Sequence, residues 1–325
     1  MGRVVLVTGV AGEFAARVSR ALAEHPGVER VVGVDTRPPV GDLGGVKFVR
    51  ADIRTPVVGK VMAVEDIDAV VHLDVHPSEQ SRGRSGAKER NVIGTMQVLA
   101  AAQRSDSVRK VVLWSSTAVY GTSPKDPALF TEADNARGGT KSGFPKDVVE
   151  VEGYVRGYSR RRPEVIVTTF RSAQILHPDI PAPLRNYFAN PLLPAALGFD
   201  PRLQFLHLED AINVLVESVV HDRWGTFNVA GPGVMLLSQV SRRLGKPTIP
   251  LLPIGFSAAS SRAVRMMGGE ISPDLYRLLT HGRAVDITAL RDIFGYEPKH
   301  STEETFEEFR AAVRPGPLGV VGLTE

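Results

Sequence analysis

The sequence predicts an α/β protein, a Rossmann-type doubly wound parallel sheet with a smaller α+β C-terminal substrate region. Short Val/Ile/Leu-rich runs without polar alternation read as strands covered on both faces. Amphipathic stretches separate them, which makes βαβ units. The first of these strands opens directly into a glycine-bearing turn and a helix.

The first strand is Arg3–Thr8, and Phe14, Val18 and Leu22 mark one face of the helix after it. Strands follow at residues 31–35, 46–50, 69–73, 110–115 and 165–170. Val92, Met96 and Leu99 share a face of a further helix, as do Val151, Val155 and Tyr158 of another. Beyond residue 171 prolines crowd (178, 181, 183, 191, 194 and 201), and the elements become shorter and mixed. A strand at 203–207, a helix at 209–220, a strand at 226–229 and a last helix at 302–313 are expected. The chain thus divides into a nucleotide-type domain, 1–171, a substrate region interleaved with it, 172–313, and a loose tail, 314–325.

With 325 residues, 43% hydrophobic and 23% charged, the chain has the composition of a globular protein and not of a disordered or fibrous one. No apolar run approaches the roughly 20 residues of a membrane helix. Cysteine is absent, so disulfide, thiolate nucleophile and thiolate metal site are excluded, and a cytoplasmic protein is expected. The net charge of +3, with arginine far outnumbering lysine, does not point to nucleic acid. His72 and His76 lack a third ligand at suitable spacing, so no metal site is expected.

The turn reads Thr8-Gly9-Val10-Ala11-Gly12-Glu13-Phe14-Ala15. Gly9 permits the tight turn, Gly12 lets the backbone approach a pyrophosphate, and Ala15 lets the helix lie close to the sheet. The phosphates would rest on unpaired N–H groups at the helix start. The second strand ends at Asp35, 20 residues beyond Ala15, where a ribose-binding acid belongs. Thr36 and Arg37 follow it. Asp35 repels a 2′-phosphate, which favours NAD over NADP, while Arg37 keeps NADP open. Glu13 suits the helix dipole but competes with a phosphate for the same place.

The chain resembles the extended short-chain dehydrogenase/reductase family, in its NAD-dependent epimerase/dehydratase branch of nucleotide-sugar 4-epimerases and 4,6-dehydratases. Beyond the glycine turn, the resemblance rests on six stretches: Asp52-Ile53, His72-Leu73-Asp74, Asn91-Val92-Ile93-Gly94-Thr95, Ser115-Ser116-Thr117-Ala118-Val119-Tyr120-Gly121, Phe205-Leu206-His207-Leu208-Glu209-Asp210-Ala211 and Thr226-Phe227-Asn228-Val229. It implies that Gly9, Gly12, Glu13, Phe14, Asp35, Thr36, Arg37, Asp52, Ile53, Leu73, Asp74 and Asn91 line the cofactor. Ser116 would steady the reacting oxygen. Gln174 and Arg202 would meet a nucleotide-sugar-like substrate, and pairing into a homodimer would use the helices that carry Asn91 and Phe144.

The family's chemistry also needs a tyrosine and a lysine four residues apart on one helix. Here those positions are Phe144 and Val148, and no Tyr-x-x-x-Lys occurs anywhere in the chain. Phenylalanine carries no proton and valine holds no ribose hydroxyl. Loss of a general acid–base costs about 10²–10⁴ in rate. Lys141, Lys146 and Asp147 are the nearest substitutes. The expected function is therefore an NAD(P)-binding protein with impaired or repurposed redox catalysis, in a cofactor-sensing or scaffold role. Two alternatives stand beside it: an active NAD-dependent nucleotide-sugar epimerase or dehydratase with a substitute acid–base, and a structural interaction protein that binds no cofactor.

Overall fold

In the computed structural model, which describes residues 2–77, 84–134, 143–251 and 271–313, the larger part of the chain forms one seven-stranded parallel sheet. Numbered along the chain, its strands are β1 (Arg3–Thr8), β2 (Val28–Asp35), β3 (Lys47–Arg50), β4 (Ala69–His72), β5 (Lys110–Ser116), β6 (Ile166–Ser172) and β11 (Gly225–Val229). Their spatial order is β11-β6-β5-β4-β1-β2-β3. The chain winds outward from β1 to β3, then returns to the other side of β1 at β4. The crevice at that reversal is where such sheets place ligands.

Helices cover both faces, which is why the central strands β1, β4 and β5 are rich in Val and Leu and almost wholly buried. One layer holds α1 (Glu13–Glu24) and α7 (Leu208–Val220), which touch each other. The other holds α2 (Val57–Val64), α4 (Thr95–Arg104) and α5 (Phe144–Arg161). A short α3 (Arg84–Lys88) and a π-helical turn (Glu89–Gly94) lead into α4. Val151, Val155 and Tyr158 of α5 are buried, as their spacing requires. No helix among the described residues is long and apolar enough to cross a membrane.

The remaining elements are β7 (Gln174–Ile175), α6 (Pro183–Ala189), β8 (Leu193–Ala196), β9 (Arg202–Leu203), β10 (Phe205–Leu206), β12 (Met235–Leu236), α8 (Leu237–Arg243), β13 (Thr248–Leu251), α9 (Pro273–His281) and α10 (Thr302–Ala312). They enclose a second core built on Leu184, Phe188, Phe205, Leu278, Phe306 and Phe309. The two parts are interleaved, because β11 and α7 return to the main sheet and its core. The tail 314–325 lies outside the described residues.

The expected strand at 203–207 is two shorter ones. Leu203 pairs antiparallel with Met235, whereas Phe205 and Leu206 pair parallel with Gln174 and Ile175. Gln204 stands between them, and its buried amide explains the break. Its Oε1 accepts the Val285 N–H at 2.8 Å, and its Nε2 donates to the carbonyls of Gly231 and Val285. A buried amide must find such partners, and they lie far away in sequence.

Candidate functional site

The glycine turn closes through backbone contacts. Gly9 has φ +80°, in the left-handed region, and an added Cβ would come within 3.1 Å of the Asp74 Cβ. Its N–H donates to the Val34 carbonyl at 3.0 Å, and the Gly12 N–H to the Gly9 carbonyl at 3.0 Å. Asp35 braces the turn: Oδ2 accepts the Ala11 N–H at 3.1 Å, while Oδ1 accepts the Arg37 N–H and the Thr36 hydroxyl. Gly12 begins α1 without a side-chain cap, so the first N–H groups of the helix keep their capacity for an anion. Glu13 does not occupy that place. Its carboxylate accepts from Arg17 Nε at 2.6 Å, one turn along α1, and Arg17 reaches on to Asp179. Phe14 packs on Trp114, ring centroids 5.3 Å apart.

The wall beside the turn comes from the ends of β3 and β4. Asp52 is held by a forked contact from Arg54, which keeps its pKa below the usual carboxylate value. Ile53 is buried against Gly94, where an added Cβ would lie 2.7 Å from its Cδ1, so a side chain at 94 would displace it. Asn91 is buried and clamps the loop after β4, accepting the His76 N–H and donating to the His76 carbonyl. Leu73 is buried at the end of β4.

His72 sits at the centre of this wall in a one-way chain of hydrogen bonds. The Thr8 hydroxyl accepts the N–H groups of Leu73 and Asp74 and donates to His72 Nδ1 at 2.8 Å. His72 Nε2 then donates to Thr95 Oγ1 at 2.9 Å, and Thr95 donates to the Asn91 carbonyl. This chain needs the neutral ring. Burial, with a smaller contribution from His76, pulls the His72 pKa down to about 3. Both ring nitrogens are therefore occupied, and His72 joins β1, β4 and α4. Asp74 lies against Gly9, with His76 Nε2 at 3.5 Å. Burial pushes its carboxyl pKa up, His76 opposes that shift, and Asp35 adds to it.

On the other side of the crevice, β5 ends at Ser115 and Ser116. Ser116 caps the short helix Thr117–Tyr120, its hydroxyl accepting the Ala118 N–H at 3.2 Å. The Ser115 hydroxyl donates to Glu152 of α5 at 2.7 Å. Glu152 is buried in an ion pair with Arg171 of β6, Nη2 to Oε2 at 2.9 Å. Arg171 also donates to the Tyr120 hydroxyl, which donates to Asn228 of β11 at 2.7 Å. Burial raises the Tyr120 pKa, and the ring stacks on Phe130. Tyr120 is thereby committed to the framework.

Phe144, Val148 and Glu152 stand four apart on α5 and share one stripe. Glu152 meets the tip of β5, so the stripe faces that tip. Phe144 is half-buried against the main core, and Val148 is fully buried in it. Lys146 is 3.7 Å from Glu150 on the flank of the helix. Asp147 is buried in the first turn. Lys141 lies outside the described residues.

At the end of β5 a small cleft of about 10 Å³, room for about one water, is lined by Thr117, Ala173, Gln174, Leu203, Gln204 and Arg283, among others. Gln174 lies in its wall, and its Oε1 accepts the Leu184 N–H at 3.0 Å. Arg202 is exposed on β9 and does not line the cleft, although its carbonyl accepts the Arg283 N–H. Arg283 was not expected here. It follows the α9 C-cap Gly282, φ +72°, and only the tertiary fold carries it from there to β5.

A further cluster joins His207, Glu209 and His300, whose ligand-type atoms lie within 4.8 Å of one another. His207 Nδ1 accepts the Glu209 N–H, which leaves the proton on Nε2, donated to Glu308 at 3.0 Å. His300 Nδ1 donates to Asp210 at 2.9 Å. The imidazole stacked at 3.7 Å is thus spent on tying α7 to α10, not on presenting a lone pair to a metal.

The family model described as NAD dependent epimerase/dehydratase matches residues 5–230, well over half of the sequence. The chain belongs to the NAD dependent epimerase/dehydratase family. An uncharacterized protein of Mycobacterium tuberculosis is 40% identical over 94% of this chain and 83% of its own length. A second one from that organism is 24% identical over 98% of this chain, which spans 30% of it. Among solved structures, dTDP-glucose 4,6-dehydratase from Bacillus anthracis in complex with NAD superposes with a TM-score of 0.72 at 17% identity, covering 95% of this chain and 96% of that one. MoeE5 in complex with UDP-glucuronic acid and NAD gives 0.74 at 18%, covering 95% and 99%. UDP-glucose 4-epimerase from Thermotoga maritima with UDP-glucose gives 0.70 at 17%, again over 95% and 99%. At these identities the likeness is one of fold. This epimerase/dehydratase-family chain keeps the crevice at the β1–β4 reversal.

Proposed function

We propose that this protein holds NAD in the crevice between β1 and β4 and no longer runs hydride chemistry through a tyrosine–lysine pair, so that it acts as a cofactor-dependent sensor or scaffold. The observation that carries this reading is the stripe Phe144–Val148–Glu152. Its anchored member, Glu152, bonds the residue next to Ser116, and its other two members have neither a proton to give nor an ammonium. Cofactor binding is supported by the braced glycine turn, the uncapped start of α1 and the structural neighbours solved with NAD. NAD is favoured over NADP because Asp35, at the end of β2, would repel a 2′-phosphate. Gln174 would meet a nucleotide-sugar-like molecule entering from the crevice. Exposed Ile93 and Met96 beside α4 and Tyr154 on α5 support pairing of two copies along these helices. The absence of cysteine fits a cytoplasmic setting.

The second reading, a working epimerase or dehydratase, has one observation in its favour: Asp147 is a buried acid in the first turn of the same helix, and Ser116 is retained. Calorimetric NAD titration of the wild type and of Phe144→Tyr/Val148→Lys tests the first. The wild type should bind NAD. The double variant should bind it several-fold more tightly, because an ammonium at 148 regains a ribose contact. Lysine replaces a fully buried valine, so the cofactor-free variant should also melt at lower temperature and gain more from NAD. No heat at millimolar NAD would overturn cofactor binding in favour of a purely structural role. Turnover of nucleotide sugars by the wild type, abolished in Asp147→Asn, would favour the second reading.

A further inference from the structure

His207 is the N-cap of α7, and it is buried. Its Nδ1 accepts the Glu209 N–H and its Nε2 donates to Glu308 of α10, a pattern that needs the neutral ring. His300 lies over it, with ring centroids 3.7 Å apart and planes 27° from parallel. The Nδ1–H and backbone N–H of His300 both donate to Asp210 Oδ2, while the Tyr296 hydroxyl and the Lys299 N–H donate to Oδ1. Burial works against a charge on Asp210, but these bonds outweigh it and hold the carboxyl below its usual pKa. The two histidines therefore respond differently to a further proton. On His300 the proton goes to Nε2 and leaves the bond to Asp210 in place. On His207 it can go only to Nδ1, where it meets the Glu209 N–H; two donors then face each other, and α7 loses its cap. With both rings charged, two cations also lie face to face.

We propose that the His207–His300 stack is a proton-operated latch: neutral, it fastens α10 to the start of α7, and doubly charged, it lets go. The latch bears on the substrate region from both ends. His207 follows β10 directly, and Phe205 and Leu206 of that strand pair with Gln174 and Ile175. At the other end, α10 supplies Phe306 and Phe309 to the second core. Acids face the stack from α7 (Glu209 and Asp210) and from α10 (Glu304 and Glu308), and they draw protons to the rings. Lys299 stands before α10, and the loop after β7 brings His177, flanked by Asp179 and by Arg17 of α1. Glu308 is mostly exposed, so the ion pair that a charged His207 gains there is worth little beside the lost cap and the repulsion across the stack. Imidazole is the side chain that ordinarily changes charge between about pH 5 and pH 8, which sets the working range of such a latch. The inference does not depend on what the crevice binds.

The experiment is amide hydrogen exchange on the full chain at about pH 7.5 and about pH 5, with wild-type protein, His207→Asn and His300→Asn, each rate divided by the intrinsic rate at that pH. Asparagine at 207 still accepts the Glu209 N–H but takes up no proton. Asparagine at 300 still donates to Asp210 and removes the second charge from the stack. Amides of β4 serve as the internal standard, because they report the global loss of stability through His72. In the wild type, protection of the α10 amides should fall at least about ten-fold further than that of the β4 amides between the two pH values. In each variant this excess should shrink below about two-fold, while circular dichroism matches the wild type. Either variant suffices, so misfolding of one leaves the test standing. An equal fall in α10 and β4 of the wild type overturns the inference. An excess fall in α10 that persists in a folded variant also overturns it, since the response then belongs to another group.

Discussion

The two sides of the crevice are built in different ways. On the phosphate side, at the ends of β1, β2 and β4, the work is done by backbone. Gly9, Gly12 and the open start of α1 offer N–H groups, and side chains such as Asp35, His72 and Asn91 hold that backbone in place. Glu13 and Asp74 add negative charge there but leave the cradle standing. On the proposed reaction side, at the ends of β5 and β6, the work would belong to individual side chains, and Phe144 and Val148 on the α5 stripe offer neither a phenol nor an ammonium. The support beneath them is intact: Ser115, Glu152, Arg171, Tyr120 and Asn228 remain one connected buried network. Framework polar groups are retained because breaking one leaves its partner buried and unsatisfied. Groups that meet only ligand carry no such penalty and are free to change.

The sharpest way to break this comparison is to attack the network itself. Arg171→Met leaves buried Glu152 with only the longer contact to exposed Arg156, at 3.6 Å, and should cost about 3 kcal/mol in urea unfolding. The paired change Arg171→Met/Glu152→Leu should recover much of the loss. A single-variant cost below about 1 kcal/mol would mean that the reaction side has no rigid support.

On the phosphate side, stability should depend on acid through His72. Above pH 6.5 the ring is neutral in the folded and unfolded chain alike. As pH falls from 6.5 toward the folded value of about 3, the unfolded chain takes up a proton that the folded chain refuses. Stability should drop by up to about 1.4 kcal/mol per pH unit across that window. His72→Gln should flatten this slope in urea midpoints measured from pH 7 to pH 4.

Asp74 gives the smallest and most local effect. Pressed against Gly9, its charge opposes the phosphates of a cofactor, and Asp74→Ala should tighten NAD roughly ten-fold, about 1.4 kcal/mol. In the wild type, affinity should fall as pH rises through the range in which Asp74 ionises, a range that burial shifts upward. His76, Asp35, Asp52 and Arg90 share that field, so the slope must vanish in Asp74→Asn for Asp74 to be its source. Unchanged affinity in Asp74→Ala would place the phosphates away from the turn.

Much of the molecule could be read along the chain because its signals are local. Apolar runs gave the strands of the main sheet, and Gly9, Gly12 and Asp35 marked the turn, since each acts through backbone within one βαβ unit. The three members of the α5 stripe are likewise set by helical spacing. What stayed hidden was carried by contacts between distant segments. Gln204 splits a strand because its amide answers Val285 and Gly231. His207 serves as a tie because α10 brings Glu308 to it.

Sequence by itself determined the parallel sheet, the glycine turn and the α5 stripe that carries Phe144 and Val148, because periodicity and φ requirements are written residue by residue. Tertiary structure alone decided which arginine lines the cleft. Arg202 and Arg283 are both lone arginines beside short elements. Only the closure of α9 against β9, through the bond from the Arg283 N–H to the Arg202 carbonyl, leaves one in water and brings the other to Thr117.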